Sequence, residues 1–251
     1  MGIVDLDFKP TVPVFDANIT LGRYFNRDVR VDTVEGTLKA MRRSGIDRAL
    51  VYSPHARDFD SLDGNQELIE SINSNSNLVP KFACNPTFDN LETFANTVDQ
   101  YGVRSLHMFP KPHNYPFKDW VVKPWLNWIA SKQILLSISA TDFDPAEMHD
   151  TIKEHPDVNV LLCLVHYGHI SWAIPLLKSL PNLYVEISHY VSTDGISQLL
   201  DTVGHKRVLF GSGFPDFPMS PQLYHLHKCN LDNSTLKAVC GDNLHGLLME
   251  G

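Results

Sequence analysis

The stretch VNVLLCLVH, residues Val158–His166, decides the fold of this chain. Its uninterrupted apolar part, Val160–Val165, is too short for a core helix and shows no alternation with polar residues. Such a run is typical of a strand that is buried on both faces, as strands are in a parallel sheet. Because parallel strands need a crossover connection, usually a helix, this strand predicts an α/β fold.

Further strand-like stretches occur along the chain, with helix signals between them. Asp32, followed three residues later by Glu35, predicts a helix that ends at Gly45, and Asp144 with Pro145 predicts another helix start. Eight strands are predicted, at Val14–Asp16, Ala49–Ser53, Lys81–Cys84, Val103–Phe109, Ile134–Ser139, Val158–His166, Leu183–Ser188 and Val208–Gly211.

The alternation of strands and helices predicts a single (β/α)8 TIM barrel, regular or distorted, that spans residues 1–251 as one domain. A barrel of this kind typically needs about 250 residues, and no linker rich in Pro, Gly or Ser divides the chain. An open, doubly wound sheet is the alternative. The glycine motif that would support it is missing, since FGSGFP at Phe210–Pro215 has a proline where a dinucleotide-binding loop enters its helix.

Composition restricts the partners. Acidic residues outnumber basic residues by 29 to 21, and the net charge is -8. An acidic chain without a Lys/Arg block disfavours nucleic acid and anionic lipid as partners. No apolar run approaches the roughly 20 residues of a membrane helix, and no secretory signal is visible, so we expect a cytoplasmic protein that acts on a small-molecule substrate. Whether it forms a homo-oligomer stays open.

Candidate site residues follow from the predicted barrel, whose chemistry lies at the carboxyl ends of the strands. Imidazoles, and a carboxylate that is costly to bury unpaired, are candidates for proton transfer, while cations and other polar groups suit a small anion. The catalytic candidates are His55, His166 and Glu186. The substrate-binding candidates are Asn18, Arg23, Arg57, His107, Lys111, His113, Ser139, His189 and Asp216. The alternative role of the loop cations is pairing with Asp58, Asp60 and Asp63.

Six stretches resemble the amidohydrolase-related (amidohydrolase 2) family of the amidohydrolase superfamily. They are FDANITLGR (15–23), SGIDRALVYS (44–53), LVHYGH (164–169), NLYVEIS (182–188), RVLFGSGFP (207–215) and CGDNLHGLL (240–248). The resemblance covers nearly the whole chain. It implies a deformed (β/α)8 barrel that holds one divalent metal, usually zinc, at the strand ends. Metal-dependent hydrolases, lactone hydrolases and nonoxidative decarboxylases of small carboxylic acids belong to this family.

The chain departs from the family at the metal ligands. Asn18 and Thr20 stand where the family's first strand has two histidines, Ser139 stands at the fifth-strand histidine and Gly213 at the eighth-strand aspartate. An amide, two alcohols and a glycine do not make a zinc site, so we predict no metal and no other cofactor. His166 matches the family's sixth-strand histidine, which is associated with activating water or substrate. The alternative is a relocated zinc site drawn from His55, His107, His113, His166 and Glu186.

These observations predict a metal-independent hydrolase of a small, anionic ester, lactone or amide. His166 would serve as acid or base, and His55, Arg57 and Lys111 would bind or polarise the substrate. Two alternatives stay open: a binding or scaffold barrel without catalysis, and a sugar-acid isomerase or lyase that uses His/Glu proton transfer. Apolar filling of the barrel mouth by Phe109 or Phe214 would favour the scaffold, and a pocket with convergent His, Arg and Glu would favour an enzyme.

Overall fold

The computed structural model describes residues 8–73 and 75–249, so residues 1–7, Ser74 and residues 250–251 of the predicted domain lie outside the described residues. Within these ranges all strands pair in parallel, in the orders β1-β2-β3 and β4-β5-β6-β7-β8-β9. The strands are β1 (Phe15–Thr20), β2 (Arg48–Tyr52), β3 (Leu78–Pro80), β4 (Phe82–Cys84), β5 (Ser105–Met108), β6 (Leu135–Ser139), β7 (Val160–Cys163), β8 (Leu183–Glu186) and β9 (Val208–Leu209).

Two of these segments form one strand of the barrel. β3 pairs with β2 and β4 pairs with β5, and only Lys81 separates them. The backbone N–H of Lys81 still donates to the Val51 carbonyl at 2.8 Å. The nine segments therefore make eight barrel strands, the number predicted, but the third begins at Leu78, before its predicted start at Lys81, and is interrupted at that lysine.

Hydrogen bonds between the first and last strands close the sheet. Ala17 N donates to Phe210 O at 3.0 Å, and Thr20 N donates to Phe214 O at 2.8 Å. Ile19 and Phe214 also form a parallel bridge. The predicted (β/α)8 barrel is thus confirmed. It is distorted, since the register of β1 shifts between Asp16 and Ile19.

The stretch that predicted the fold forms a shorter strand than expected. Every residue of β7 is buried, but the strand ends at Cys163 rather than at His166. Leu164 adopts a left-handed conformation, with φ of 57°, and its N–H donates to the Glu186 carboxylate at 2.6 Å instead of to a neighbouring strand. The side-chain carboxylate therefore competes with the sheet for this backbone donor.

Helices surround the sheet and their ends follow local signals. Thr33, one residue after the predicted Asp32, caps α1 by accepting from Gly36 N, and Gly45 ends it with φ of 74°, a conformation that favours glycine. Asp144 caps α6 as predicted. The helices are α1 (Val34–Ser44), α2 (Pro54–Asp58), α3 (Ser61–Ile72), α4 (Leu91–Tyr101), α5 (Asp119–Lys132), α6 (Pro145–Lys153), α7 (Ile170–Ser179), α8 (Gly195–Val203), α9 (Ser220–Lys228), α10 (Asn233–Lys237) and α11 (Asn243–Met249).

Two apolar layers hold the barrel. The larger packs one face of the strands against the helices. The smaller contains strand residues such as Leu50, Leu135 and Leu161 together with Leu244 and Leu248 of α11. Because strand side chains alternate between faces, the remaining inward positions are free for polar residues. Among the helices that the structure describes, none has both the length and the apolar content to cross a membrane.

Candidate functional site

Glu186, at the end of β8, lies inside the barrel with no exposed surface. Its Oε1 accepts from Leu164 N at 2.6 Å and from Ser188 Oγ at 2.8 Å, and its Oε2 accepts from Ser188 N at 2.5 Å. The Asn18 amide adds a longer contact to Oε1 at 3.4 Å. Burial raises the pKa of Glu186, and these hydrogen bonds act in the opposite direction. The donors hold the carboxylate in place and occupy both of its oxygens.

Asp16 of β1 is a second fully buried acid. Its Oδ1 accepts from Asn18 N and Ser212 N, each at 2.9 Å. Its Oδ2 is buried and has no hydrogen-bond partner among the described residues. Burial raises the pKa of Asp16 to about 7, and the nearby Glu186 adds to that rise.

Lys81 brings a cation to these acids. Its side chain is completely buried, and Nζ donates to the Ala17 carbonyl at 3.1 Å and to Asn18 Oδ1 at 3.3 Å. Nζ also lies 5.3 Å from the centroid of the Tyr52 ring. Burial lowers the pKa of Lys81, whereas Glu186 and Asp16 act to raise it.

Aromatic packing closes this interior toward the barrel mouth. His107 contacts Ser139 Oγ through Nε2 at 3.4 Å, and its ring stacks on Phe109 with centroids 4.0 Å apart. Phe109 and Tyr52 are themselves buried, at 2% and 7% exposure. Burial holds the pKa of His107 well below its ordinary value, and Lys81 and other nearby cations lower it further. His107 is therefore a neutral imidazole in a closed layer.

Arg57 lies above this layer and is already paired. Its guanidinium donates to both Asp58 oxygens, at 2.6 and 2.8 Å, in the pairing that the sequence offered as an alternative. The His113 ring bonds the Arg57 carbonyl at 2.6 Å. Lys111 is exposed nearby, on the loop after β5.

His166 and His189 form a separate group at the rim. Their ring centroids are 4.7 Å apart, and His189 packs on Phe217. His166 Nδ1 accepts from Gly168 N at 3.1 Å, and no carboxylate of residues 8–73 and 75–249 bonds this ring. Burial and the neighbouring His166 lower the pKa of His189. Asp216, also near the rim, pairs with Arg27.

An open cavity of about 870 Å³ lies between the loop after β1, the start of α1, and helices α2 and α3. We call it the α1–α3 groove. Within it, His55 Nδ1 bonds Glu67 Oε2 at 2.7 Å. Its lining residues are Leu21, Gly22, Arg23, Tyr24, Phe25, Asp32, Thr33, Val34, Ser53, His55, Phe59, Glu67, Leu68 and Ser71.

Arg23 supplies the α1–α3 groove with a cation that is only weakly paired with a carboxylate. Its side chain is 88% exposed, and the Asp32 carboxylate approaches only to 3.9 Å. Phe25 and Phe59, both largely exposed, meet edge to face with centroids 5.5 Å apart. Phe59 also contacts the His55 ring. The groove thus combines a cation, aromatic surface and an oriented imidazole.

The predicted site residues are therefore distributed over four places. Asn18, His107, Ser139 and Glu186 lie in the buried interior, Arg57, Lys111 and His113 above it, His166, His189 and Asp216 at the rim, and Arg23 and His55 in the α1–α3 groove. Sequence reasoning did not select Lys81 or Glu67. The available signal for Lys81 was its position between Pro80 and the buried run Phe82–Cys84. Glu67 carries no local signal, because it meets His55 only through the packing of α2 on α3.

The residues at the family's metal positions do not fit a metal. Asn18, Thr20 and Ser139 offer one amide and two alcohols, Gly213 offers no side chain, and Asn18 Oδ1 already accepts from Lys81. Across residues 8–73 and 75–249 no three His, Cys, Asp or Glu side chains are grouped to hold a metal ion. The five residues that would form a relocated zinc site do not make up such a group.

Comparison with known structures supports the fold. The 5-carboxyvanillate decarboxylase of Sphingomonas paucimobilis superposes with a TM-score of 0.76 at 12% identity, over 95% of this chain and 99% of that chain. The 2,6-dihydroxybenzoate decarboxylase of Rhizobium gives 0.75 at 12% identity, over 96% and 100%. A manganese-bound dihydroxybenzoic acid decarboxylase from a Polaromonas species gives 0.76 at 10% identity, over 94% and 97%.

Sequence comparison identifies the family. No curated protein matches the chain. The family model described as amidohydrolase, Amidohydro_2, matches residues 12–243, which is nearly the whole chain. The match begins before the first strand and ends at the first residue of α11, so it includes every strand of the barrel. The resemblance seen in the short motifs is confirmed, and the chain belongs to the amidohydrolase family.

Proposed function

We propose that this protein hydrolyses a small aromatic ester or lactone that carries a carboxylate, and that it does so without a metal ion. The observation that carries the proposal is the bond of 2.7 Å between His55 Nδ1 and Glu67 Oε2 inside a cavity of about 870 Å³. A carboxylate that binds one imidazole nitrogen fixes the tautomer and leaves the other nitrogen to accept a proton. Cavities of this volume suit small organic ligands.

The proposed reaction uses His55 first as a base and then as an acid. His55 Nε2 takes a proton from water while the water oxygen attacks the acyl carbon. Glu67 stabilises the imidazolium that results. The protonated ring then returns the proton to the leaving oxygen as the acyl–oxygen bond breaks, and the products are a carboxylic acid and an alcohol.

The substrate class follows from the lining of the α1–α3 groove. A guanidinium binds a carboxylate through two parallel hydrogen bonds, and the one competing carboxylate near Arg23 among the described residues is Asp32, at 3.9 Å. Tyr24, Phe25 and Phe59 offer ring surface for a flat substrate. The structural neighbours support this class, since they are described as decarboxylases of dihydroxybenzoate and carboxyvanillate. Hydrolysis is proposed rather than decarboxylation because the His–Glu pair is suited to activating water.

The proposal assigns to His55 the acid–base role that the sequence suggested for His166. A backbone N–H bonds the ring of His166, and no carboxylate in the described part of the chain orients it. Glu186, the third catalytic candidate, has both oxygens occupied by donors in a closed interior. Arg23 keeps its predicted substrate-binding role.

The test is hydrolysis of a panel of aryl esters and lactones, with and without a carboxylate, by metal-stripped protein. We expect His55→Asn to lower kcat by about 100-fold or more, in the range typical of a lost general base. Glu67→Gln should lower kcat by up to about 10⁴-fold, as expected when the carboxylate that fixes the tautomer and stabilises the imidazolium is lost. Arg23→Gln should raise KM for carboxylate substrates only. His149→Asn is the control, since His149 lies on α6 and bonds Asp150 and Ser179.

Two results would contradict the proposal. Activity that disappears on chelation and returns with zinc or manganese would show a metal-dependent reaction. Activity that survives in His55→Asn at the wild-type level would remove the His55–Glu67 pair from the mechanism.

A barrel without catalysis is the second candidate, and Phe109 is the observation that favours it. Phe109 is buried at 2% exposure and stacks on His107, which closes the strand-end interior from solvent. This candidate predicts stoichiometric binding of an aromatic carboxylate in calorimetry, weakened by Arg23→Gln, with no product formed from any member of the panel.

A further inference from the structure

We propose that the Lys81 ammonium is the resident cation of this barrel and takes the place that a divalent metal holds in the family. Lys81 lies in the buried interior, away from the α1–α3 groove. Its Nζ donates at 3.3 Å to Oδ1 of Asn18, the residue that stands where the family's first metal-binding histidine is expected.

Backbone geometry brings Lys81 to this point. Lys81 lies in the one-residue gap between β3 and β4, and its Nζ reaches the Ala17 carbonyl of β1, two strands away in the sheet, at 3.1 Å. The residue is completely buried. Both of its hydrogen-bond partners are oxygens that only accept, which suits the donors of a protonated amine.

The Glu186 carboxylate lies on the other side of Asn18 from Lys81, and its negative charge favours a cation in this interior. The Asn18 amide accepts from Lys81 through Oδ1 and directs Nδ2 toward Glu186 Oε1 at 3.4 Å, so one side chain connects the two charges. In these three hydrogen bonds the Glu186 oxygens accept and never donate, and this favours the ionised form of the carboxyl group. A buried carboxylate of this kind requires a cation nearby. Asp16 also lies within electrostatic range of Lys81.

The same arrangement excludes a metal. A divalent ion near Asn18 would lie beside an ammonium, and the repulsion between such charges at about 4 Å amounts to several kcal/mol even at an effective dielectric constant of 20. A protonated amine also has no lone pair to offer as a ligand. The replacement of the expected ligands and the buried ammonium of Lys81 therefore both act against a metal ion at this position.

The charge on Lys81 is tested directly by NMR of protein labelled with ¹⁵N at the lysine Nζ. Among the lysines, all of which lie in the described ranges, Lys81 is the one in the buried set, so its signal is recognised by slow hydrogen exchange. At pH 7 we expect the ¹⁵N chemical shift of Lys81 Nζ to be that of an ammonium group. The Lys132→Met control should retain this signal. Lys132 is partly exposed and pairs with Asp99. A neutral-amine shift at pH 7 would overturn the proposal.

Competition with a metal is tested by restoring ligands. A chain with Asn18→His, Thr20→His and Ser139→His is prepared with Lys81 retained and, separately, with Lys81→Met. We expect zinc titration to give at least about tenfold tighter binding when the lysine is absent, because the repulsion is removed. Equal zinc affinity in the two chains would overturn the proposal. So would one equivalent of zinc or manganese bound by the wild-type chain after incubation and desalting.

Discussion

Gly211 lies directly against the Glu186 carboxylate. A Cβ atom added to Gly211 would lie 2.6 Å from Glu186 Oε2 and 3.2 Å from Glu186 Cβ. We expect Gly211→Ala to lower the free energy of unfolding by about 2 to 3 kcal/mol, because overpacking would displace a carboxylate that several donors hold. Urea denaturation measures this. Gly168→Ala is the matched control, with its nearest contact at 3.4 Å, and an equal loss in both variants would contradict the close approach.

Asp16 makes the stability of the protein depend on pH. Burial raises its pKa from 3.8 to about 7, so the folded state retains a proton that the unfolded state has already lost. The stabilisation from this proton is complete below about pH 4 and is lost as the pH rises through about 7. Glu186 and Lys81 are the charged groups near Asp16.

Asp16→Asn isolates this effect, because an asparagine has no proton to lose. Relative to the wild type, the variant should gain stability as the pH rises from 5 to 8, by on the order of a few kcal/mol. Urea midpoints of both proteins at several pH values measure the difference. A difference that stays constant with pH would mean that Asp16 does not titrate in this range.

Among the elements, α6 begins at the best-defined cap. Asp144 Oδ1 accepts from Ala146 N at 2.9 Å and from Glu147 N at 3.2 Å, and Pro145 occupies the first turn. Asp144→Ala should lower the free energy of unfolding by about 1 kcal/mol, since two backbone donors lose their partner. Thermal or urea unfolding measures the loss. Asp144→Ser should restore most of it, while a serine that behaves like alanine would contradict the capping role.

Element positions were predictable where the signal is local. Asp144 and Gly45 act on backbone groups within a few residues, so their roles are visible in the sequence. The end of β7 was not predictable, because Leu164 leaves the sheet to donate to Glu186, 22 residues away. The interruption at Lys81, the predicted first residue of the third strand, was missed for the same reason, since its side chain bonds the Ala17 carbonyl of β1, 64 residues away.

For the whole molecule, the strand pattern predicted the fold but not the grouping of the candidate residues. Of the candidates predicted at strand ends, Asn18, His107 and Glu186 lie buried in one interior. Which groups meet depends on contacts between distant segments. His55 meets Glu67 because α2 packs on α3, and Asn18 meets Lys81 because β1 and β3 flank β2 in one sheet.

Closure of the barrel carries the last prediction. The amides of Ala17 and Thr20 donate to the carbonyls of Phe210 and Phe214, which both follow the last strand. In an open sheet β1 would be an edge strand, and these two amides would face solvent and exchange rapidly. In the closed barrel they should be as protected from hydrogen exchange as the amide of Leu136, which donates to Asn159 O at 3.0 Å in the middle of the sheet. Hydrogen exchange followed by NMR measures all three amides in one experiment. Rapid exchange at Ala17 and Thr20 while Leu136 stays protected would show that the sheet opens at this seam, and it would also remove the contact that holds Asp16 against Ser212, 196 residues away in the chain.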